Sequence, residues 1–396
     1  MLTEKSKLLN SPLFFSGILF LIVLLITLQS FMLPPKTFYT GGSEYTHYNN
    51  YIIFKQSWFH LMENKDLYQP YWKEYWDLYK YSPTFAVFMA PFAILPNAAG
   101  LLCWNLLNVL VLFFALWKLP WSANKKRLFA LGFVLIELFS SVHNAQSNAL
   151  IAGLIIFAFL LLEKKQLALA SLLIVLTVFI KLFGLVAFVL FIFYPGKLKA
   201  IFYTIGWTLL LAALPLLFIS SGQLILLYQN WFHLLQNDHS IYVGLSVTGW
   251  LQSWFGMEAK LPVLIAGIVL FLLPLIKYKY FSEFKFRIFF LSSILLWIVI
   301  FNHKAESPTF VIAVSGIAIW FFMQKTKTEN TILLLVVLLF TILSSTDLFP
   351  ANLRKEFIEA YVLKAVPCIL IWLKITMDLL LYKPEKMLNE RNVNTL

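Results

Sequence analysis

Polar residues are scarce in this chain, and they fall in a few runs whose types and spacing could do chemistry. The most concentrated is Asn302-His303-Lys304-Ala305-Glu306-Ser307-Pro308, between two strongly apolar stretches. His303 and Lys304 could hold an anionic leaving group, and Glu306 could act as a base or an orienting carboxylate. A solvated turn is the plain alternative. Pro308 fits the first turn of a following helix, with Ser307 as a cap. Lys181 stands inside an apolar run over 167–194, where a charge is costly unless paired, hydrated or at a helix break. It reads either as a cation for a lipid-linked phosphate or as a lysine at an outer turn. Within Ser140–Asn148, the side chains of His143, Asn144, Gln146 and Asn148 offer donors and acceptors suited to sugar hydroxyls, or simply close a turn.

A long hydrophilic stretch over 34–81 carries Glu44, Asn49 and Asn50, then Asp66, Glu74 and Asp77. Each carboxylate is either a reactive group or a solvated loop charge. Tyr51, Phe54, Trp58, Leu61 and Met62 recur at helical spacing, while Asn50, Lys55, Gln56 and His60 occupy other faces. Trp72, Tyr75, Trp76 and Tyr79 group in the same way within Tyr71–Tyr79. Both segments are expected to be amphipathic helices in the membrane interface, as anchors or as a platform over a site. A second hydrophilic stretch, 221–260, brings Trp231, His233, His239, Tyr242, Trp250 and Trp254. These suit either membrane anchoring or an acceptor sugar or lipid. There is no Gly-rich phosphate cradle and no Asp-x-Asp motif. The histidines His47, His60, His143, His233, His239 and His303 lack zinc-type spacing. No metal site and no cofactor is therefore expected.

The elements that must position these groups follow from composition. Of 396 residues, 60% are hydrophobic and only 13% charged, against about 25% charged in a typical soluble chain. Most of the protein must be solvated by lipid, which calls for an all-α, polytopic helical bundle. The net charge of +12 lies in short basic runs between apolar segments. That is the pattern of membrane topology rather than of nucleic-acid binding. Cys103 and Cys368 fall inside apolar runs and support neither a disulfide framework nor a zinc site.

About twelve spans are expected, at roughly 13–33, 99–117, 128–142, 147–162, 167–180, 182–194, 200–220, 261–276, 286–302, 308–323, 331–346 and 359–381. The first is too long for a signal-peptide core and reads as a retained helix. Run 167–194 is either one long helix or two broken at Lys181. Ser82–Pro96 carries Pro83, Pro91 and Pro96 and is expected to be a juxtamembrane or re-entrant piece. The basic excess, including Lys118, Lys125, Lys126 and Arg127, places both termini inside. Loops 34–81 and 221–260 then lie outside, together with His143–Asn148, Lys181 and His303–Glu306. Residues 1–382 form one membrane domain on this reading, and 383–396 a short cytoplasmic tail.

A family likeness is carried by Asn50-Tyr51-Ile52-Ile53-Phe54, Glu63-Asn64-Lys65-Asp66-Leu67-Tyr68 and Tyr79-Lys80-Tyr81-Ser82-Pro83, then Met89-Ala90-Pro91-Phe92 and Ala93-Ile94-Leu95-Pro96. This order resembles the opening of glycosyltransferase family 87, polyprenol-phosphate-mannose-dependent mannosyltransferases of the GT-C fold. The resemblance implies a multi-pass protein of the bacterial plasma membrane. Its substrates would be a polyprenyl-phosphate sugar donor and a lipid or glycan acceptor among membrane lipids. A lipid-borne donor also accounts for the missing nucleotide-binding motifs. The resemblance further implies an Asp base near the start of the first outer loop. Asn50, preceded by Asn49, stands at the matching position, and an amide cannot take the acceptor's proton at neutral pH.

The reaction expected from these residues is a single displacement at the anomeric carbon. Glu306 or Glu44 would be the base, with Lys304, His303 and Lys181 on the donor phosphate. Asn49, Asn50, His143, Asn144, Gln146 and Asn148 would contact substrate. Two rivals stand beside it. One is a transporter or lipid flippase, which predicts inverted repeats and midplane charges. The other is a non-catalytic relative, which Asn50 keeps open.

Overall fold

A computed structural model describes residues 11–37, 42–237, 244–346 and 348–384. The expected tail 383–396 and the loop residues His239 and Tyr242 lie largely or wholly outside those residues. Helix α1 is Pro12–Met32, capped by Ser11, whose side chain accepts from the Phe14 N–H. It shows Leu13, Leu21 and Leu25 outward and buries little besides Leu19, Val23, Thr27 and Ser30. An apolar helix with so little of itself covered needs lipid around it. A two-residue ribbon follows, β1 (Lys36–Thr37) antiparallel to β2 (Glu44–Tyr45), with Thr37 opposite Glu44.

The bundle proper consists of α5 (Asn97–Trp117), α6 (Asn124–His143), α7 (Asn148–Glu163), α8 (Leu167–Ile180), α9 (Lys197–Ala213), α12 (Lys260–Leu272), α13 (Phe284–Ile300), α14 (Phe310–Phe322), α15 (Thr328–Val336) and α17 (Val366–Leu380). Between them come α2 (Asn49–Met62), α3 (Pro83–Phe88) and α4 (Ala90–Ala93) before α5, α10 (Ser221–Asn237) and α11 (Val247–Phe255) after α9, and the short α16 (Ala351–Leu353). Helices α13 and α14 are buried on nearly every face and form the centre. That suits sequences apolar all round. Among the described residues, five helices are long and apolar enough to cross a membrane: Pro12–Met32, Asn97–Trp117, Lys197–Leu217, Lys260–Tyr280 and Thr328–Ser345. Asn148–Glu163, Leu167–Ile180, Leu182–Phe193 and Ser307–Phe322 are apolar but shorter. Pieces of that length span only where the bilayer thins locally or neighbours shelter their ends.

Two expectations about helices are settled here. Run 167–194 is broken, not continuous: α8 stops at Ile180, Lys181 is extended, and Leu182–Phe193 continues as 3-10 turns. The broken end is satisfied from outside, because Ser82 donates its hydroxyl to the Phe179 carbonyl at 2.6 Å. The returning chain packs so closely that a Cβ on Gly184 would lie 1.9 Å from Thr177 Oγ1. Ser82–Pro96 forms two short helices, α3 and α4, and the α3 face is buried at Pro83–Val87.

The loop over 34–81 departs from expectation. Asn49–Met62 is a helix, but its polar residues are not all turned to water: His60 is buried, and Met62 is exposed. Tyr71–Tyr79, expected to be a second interfacial helix, is a series of turns. The reason is competition for its backbone. The Asn49 amide donates to the Trp76 carbonyl and accepts from the Trp76 N–H, both at 2.8 Å. Those groups are then unavailable to a helical ladder, and Asp77 follows in the left-handed region at φ +79°.

Two ion pairs tie segments of the bundle together. Arg287 grips Glu163 with two nitrogens at 2.6 and 2.7 Å, and the Tyr194 hydroxyl donates to the same carboxylate at 2.5 Å. This joins α7, the 3-10 segment and α13. Glu137 on α6 and Lys364, just before α17, form a pair at 2.8 Å that is almost completely buried. Losing one partner strands the other in an apolar medium, which typically costs about 3–5 kcal/mol. Lys364→Ala is expected to lower the thermal unfolding midpoint of the detergent-solubilised protein markedly. Replacing both partners with apolar residues of similar volume is expected to recover much of that loss.

His60 gives a pH-dependent counterpart in the first loop. Its Nε2 meets Glu74 at 3.0 Å while its Nδ1 is buried without a partner. Burial holds the imidazole below its ordinary pKa, with the Glu74 charge opposing. The folded loop thus favours neutral histidine. Its stability is complete above about pH 6.5, the unfolded value, and drains away as pH falls through the depressed folded value. Amide exchange over residues 60–76 is expected to accelerate below that pH, and His60→Gln to flatten the dependence.

Candidate functional site

The break at Lys181 sets a charged side chain among polar partners. Its backbone N–H still donates to the Thr177 carbonyl at 2.8 Å, after which the chain turns extended. The ammonium donates to Gln146 Oε1 and to Asn148 Oδ1, both at 3.1 Å. It also sits 5.6 Å from the Tyr81 ring centre and 5.4 Å from that of Phe183. Aromatic faces at such distances attract a cation. Its hydrogen-bonding partners are neutral amides. Burial holds the Lys181 ammonium below its ordinary pKa, with the Glu306 charge opposing that shift and Lys80 adding to it.

Loop 143–148, between α6 and α7, serves several neighbours at once. Ala145 takes φ +50° at the turn. The Asn50 side chain donates to the Asn144 carbonyl at 2.8 Å, and the Trp104 indole to the Ala145 carbonyl at 2.9 Å. Asn144 spends its own amide on the Ser140 carbonyl. Asn148 donates to the Pro308 carbonyl at 3.1 Å while its oxygen faces Lys181. His143 feels His47 and Lys36 as its charged neighbours, which sets it beside the first hairpin.

The 302–309 loop reaches the same cluster from α13 and α14. Gly244 and Leu245 donate to the His303 and Ala305 carbonyls at 2.9 and 2.8 Å, so the chain before α11 is laid along it. A Cβ on Gly244 would fall 2.4 Å from the His303 carbonyl oxygen, so only glycine permits the approach. Glu306 is exposed, with its N–H to Thr309 Oγ1 at 3.3 Å, at the start of the turn that leads into α14. His303 is exposed and Lys304 half-buried. The Lys304 N–H donates to Asn302 Oδ1 at 3.0 Å.

Lys181, Gln146 and Asn148 are thus hydrogen-bonded together, the turn that carries Glu306 is tied to them through the Pro308 carbonyl, and Asn50 is tied to their loop. Asn49, by contrast, has both amide atoms engaged by Trp76. Glu44 is exposed on the ribbon beside Tyr45, whose hydroxyl donates to the Trp72 carbonyl. No described hydrogen bond joins Glu44 to the Lys181 cluster. The remaining loop carboxylates are mostly occupied: Asp66 accepts from Tyr68, Gln69 and Asn230, and Glu74 meets His60. Asp77 pairs with Lys80 at 3.0 Å.

Tyr81 is the site neighbour that sequence reasoning passed over as chemistry. Burial pushes its hydroxyl above the ordinary range, and the charges of Glu306 and Asp77 add to that. Its only sequence signal was membership of Tyr79-Lys80-Tyr81-Ser82-Pro83. The pair Glu137 and Lys364 was also missed, since a lone charge in an apolar run does not name its partner.

The model of glycosyltransferase family 87 matches residues 79–346. That stretch holds Tyr81, the 143–148 loop, Lys181 and the 303–306 cluster, while Glu44, Asn49 and Asn50 precede it. The motifs at 50–68 that suggested the likeness therefore lie outside the matched stretch, and those from Tyr79 onward lie within it. No curated protein matches the chain. Because the match runs through most of the bundle and all the loops that meet at Lys181, the chain belongs to glycosyltransferase family 87 and is an integral membrane glycosyltransferase.

Proposed function

We propose that the protein transfers a mannose-like hexose from a polyprenyl-phosphate donor to a lipid or glycan acceptor. The transfer takes place on the outer side of a bacterial plasma membrane, with both termini cytoplasmic. The observation that carries this reading is the Lys181 ammonium, held by two neutral amides within reach of the Glu306 charge. Two of its three donors are met by Gln146 and Asn148. The third serves a phosphate oxygen. A cation so placed is most useful when negative charge develops on a departing group.

In the reaction the acceptor hydroxyl oxygen attacks the anomeric carbon. The bond from that carbon to the phosphate oxygen breaks, and its electron pair stays on the polyprenyl phosphate. Glu306 takes the acceptor's proton, and Lys181 with Lys304 and His303 stabilises the phosphate. Gln146, Asn148, His143 and Asn144 line the sugar side, and Asn50 orders their loop through the Asn144 carbonyl. Glu306 is favoured over Glu44 because its turn is tied to the Lys181 cluster through the Pro308 carbonyl that Asn148 binds, and no described hydrogen bond ties Glu44 to it. Asn49 supports the aromatic turns of the first loop rather than the sugar.

The test is to incubate purified protein with a panel of polyprenyl-phosphate sugars and to measure release of the lipid phosphate. Glu306→Gln keeps the shape but removes the proton acceptor, so kcat is expected to fall by about 100-fold or more with donor binding retained. If Glu44→Gln is silent and Glu306→Gln is not, the base is assigned; the reverse pattern moves it to the first loop. If neither change matters in an active enzyme, the mechanism has no base and fails.

The donor phosphate is tested separately. Lys181→Gln is expected to cut kcat/KM by about 100-fold or more, the scale of losing one oxyanion partner. Lys304→Ala is expected to raise donor KM with less effect on kcat. Unchanged kinetics in Lys181→Gln would remove the lysine from the site.

A further inference from the structure

Behind the site lies a charged cluster that the reaction does not touch. Lys364 donates to Glu137 Oε1 at 2.8 Å, to Ser307 Oγ at 2.7 Å and to Ser345 Oγ at 3.2 Å. All three of its donors are thus spent, and its ammonium also lies 5.1 Å from the Phe310 ring centre. Both members of the pair are buried, Glu137 at 0% and Lys364 at 3% exposure. Such a pair is a poor source of stability, since desolvation offsets most of its attraction. The chain also bends to make it. Val362, two residues before Lys364, takes φ +53°, a region that β-branched residues avoid. Backbone strain of this kind persists only where the surroundings enforce it.

What the arrangement gains is a fixed point for Ser307. That residue follows Glu306, and Pro308 after it presents the carbonyl that Asn148 binds. The hydroxyl of Ser307 is therefore pinned on one side of the turn, while Asn148 and the Gly244–Leu245 backbone pin the other. We infer that the Glu137–Lys364 pair is a positioning device: through Ser307 it holds the 303–308 turn so that Glu306 faces the acceptor beside Lys181. Lys364 and Ser307 are positioning residues and touch no substrate. The inference rests on Glu306 being the base.

The experiment uses the full chain with Ser307→Ala, which leaves the Glu137–Lys364 pair intact, and Ser307→Thr, which keeps the hydroxyl. In turnover of polyprenyl-phosphate mannose, Ser307→Ala is expected to lower kcat about tenfold with donor KM unchanged and an unfolding midpoint lowered far less than in Lys364→Ala, since one buried donor is left unpaired but the ion pair remains. Ser307→Thr is expected to restore most of that loss. Amide exchange, which needs no donor, is expected to quicken over 302–309 in Ser307→Ala and to stay unchanged in α6 and α17. Unchanged exchange in that turn overturns the inference whatever the activity. If Glu306→Gln is inactive while Ser307→Ala keeps full kcat, positioning fails and the base assignment survives. If Glu306→Gln turns over normally, the base assignment fails first and the positioning inference falls with it.

Discussion

An ammonium group set among apolar segments is the constraint on which the site depends. Lys181 interrupts two runs of lipid-compatible sequence, and hydrocarbon offers nothing to replace its water. The chain answers by ending α8 one residue earlier and turning the backbone extended. Polar oxygens must then come from elsewhere, and Gln146 and Asn148 supply them from the loop between α6 and α7. Once those two residues are committed, the loop that carries them is fixed, and so is everything bonded to it. Asn50 reaches it from α2, Trp104 from α5, and the Pro308 carbonyl from the turn before α14.

The second buried cation follows the same economy with a different outcome. Lys364 has a carboxylate partner, Glu137, and two hydroxyls, so its donors are exhausted. Among the described residues, the hydrogen-bonding partners of Lys181 are the neutral amide oxygens of Gln146 and Asn148. A cation whose donors are all met has nothing left for a ligand, whereas a cation with a donor to spare differs from it in kind. The two lysines thus differ in what surrounds them: Lys364 faces a carboxylate and two hydroxyls, and Lys181 two amide oxygens.

The segment between α1 and α3 shows how local pattern and tertiary demand compete. Its helix Asn49–Met62 appeared at the helical spacing of Tyr51, Phe54, Trp58 and Leu61, and it forms. Trp72, Tyr75, Trp76 and Tyr79 carried a similar spacing, yet no helix forms there. A single side chain, Asn49, outbids the helix by bonding both backbone groups of Trp76. His60 was assigned to a polar face by the same periodicity and is instead buried against Glu74 and Tyr71. Spacing reports which faces differ. It does not report what will cover them.

Composition alone determined that this is an all-helical protein in lipid, because a chain with 13% charged residues cannot cover a soluble surface. The polar runs at 143–148, 181 and 303–306 were equally visible, since a few donors and charges stand out against apolar flanks. Sequence could not decide which runs meet. Lys181 and Gln146 are joined by 3.1 Å across the bundle, and Glu137 and Lys364 by 2.8 Å between α6 and the start of α17. Hydrophobic periodicity carries no information about such partners, because it is set by lipid and core contacts shared by every helix. Pairing is decided by the energy of leaving a charge unsatisfied, and that energy is defined only once the helices are packed.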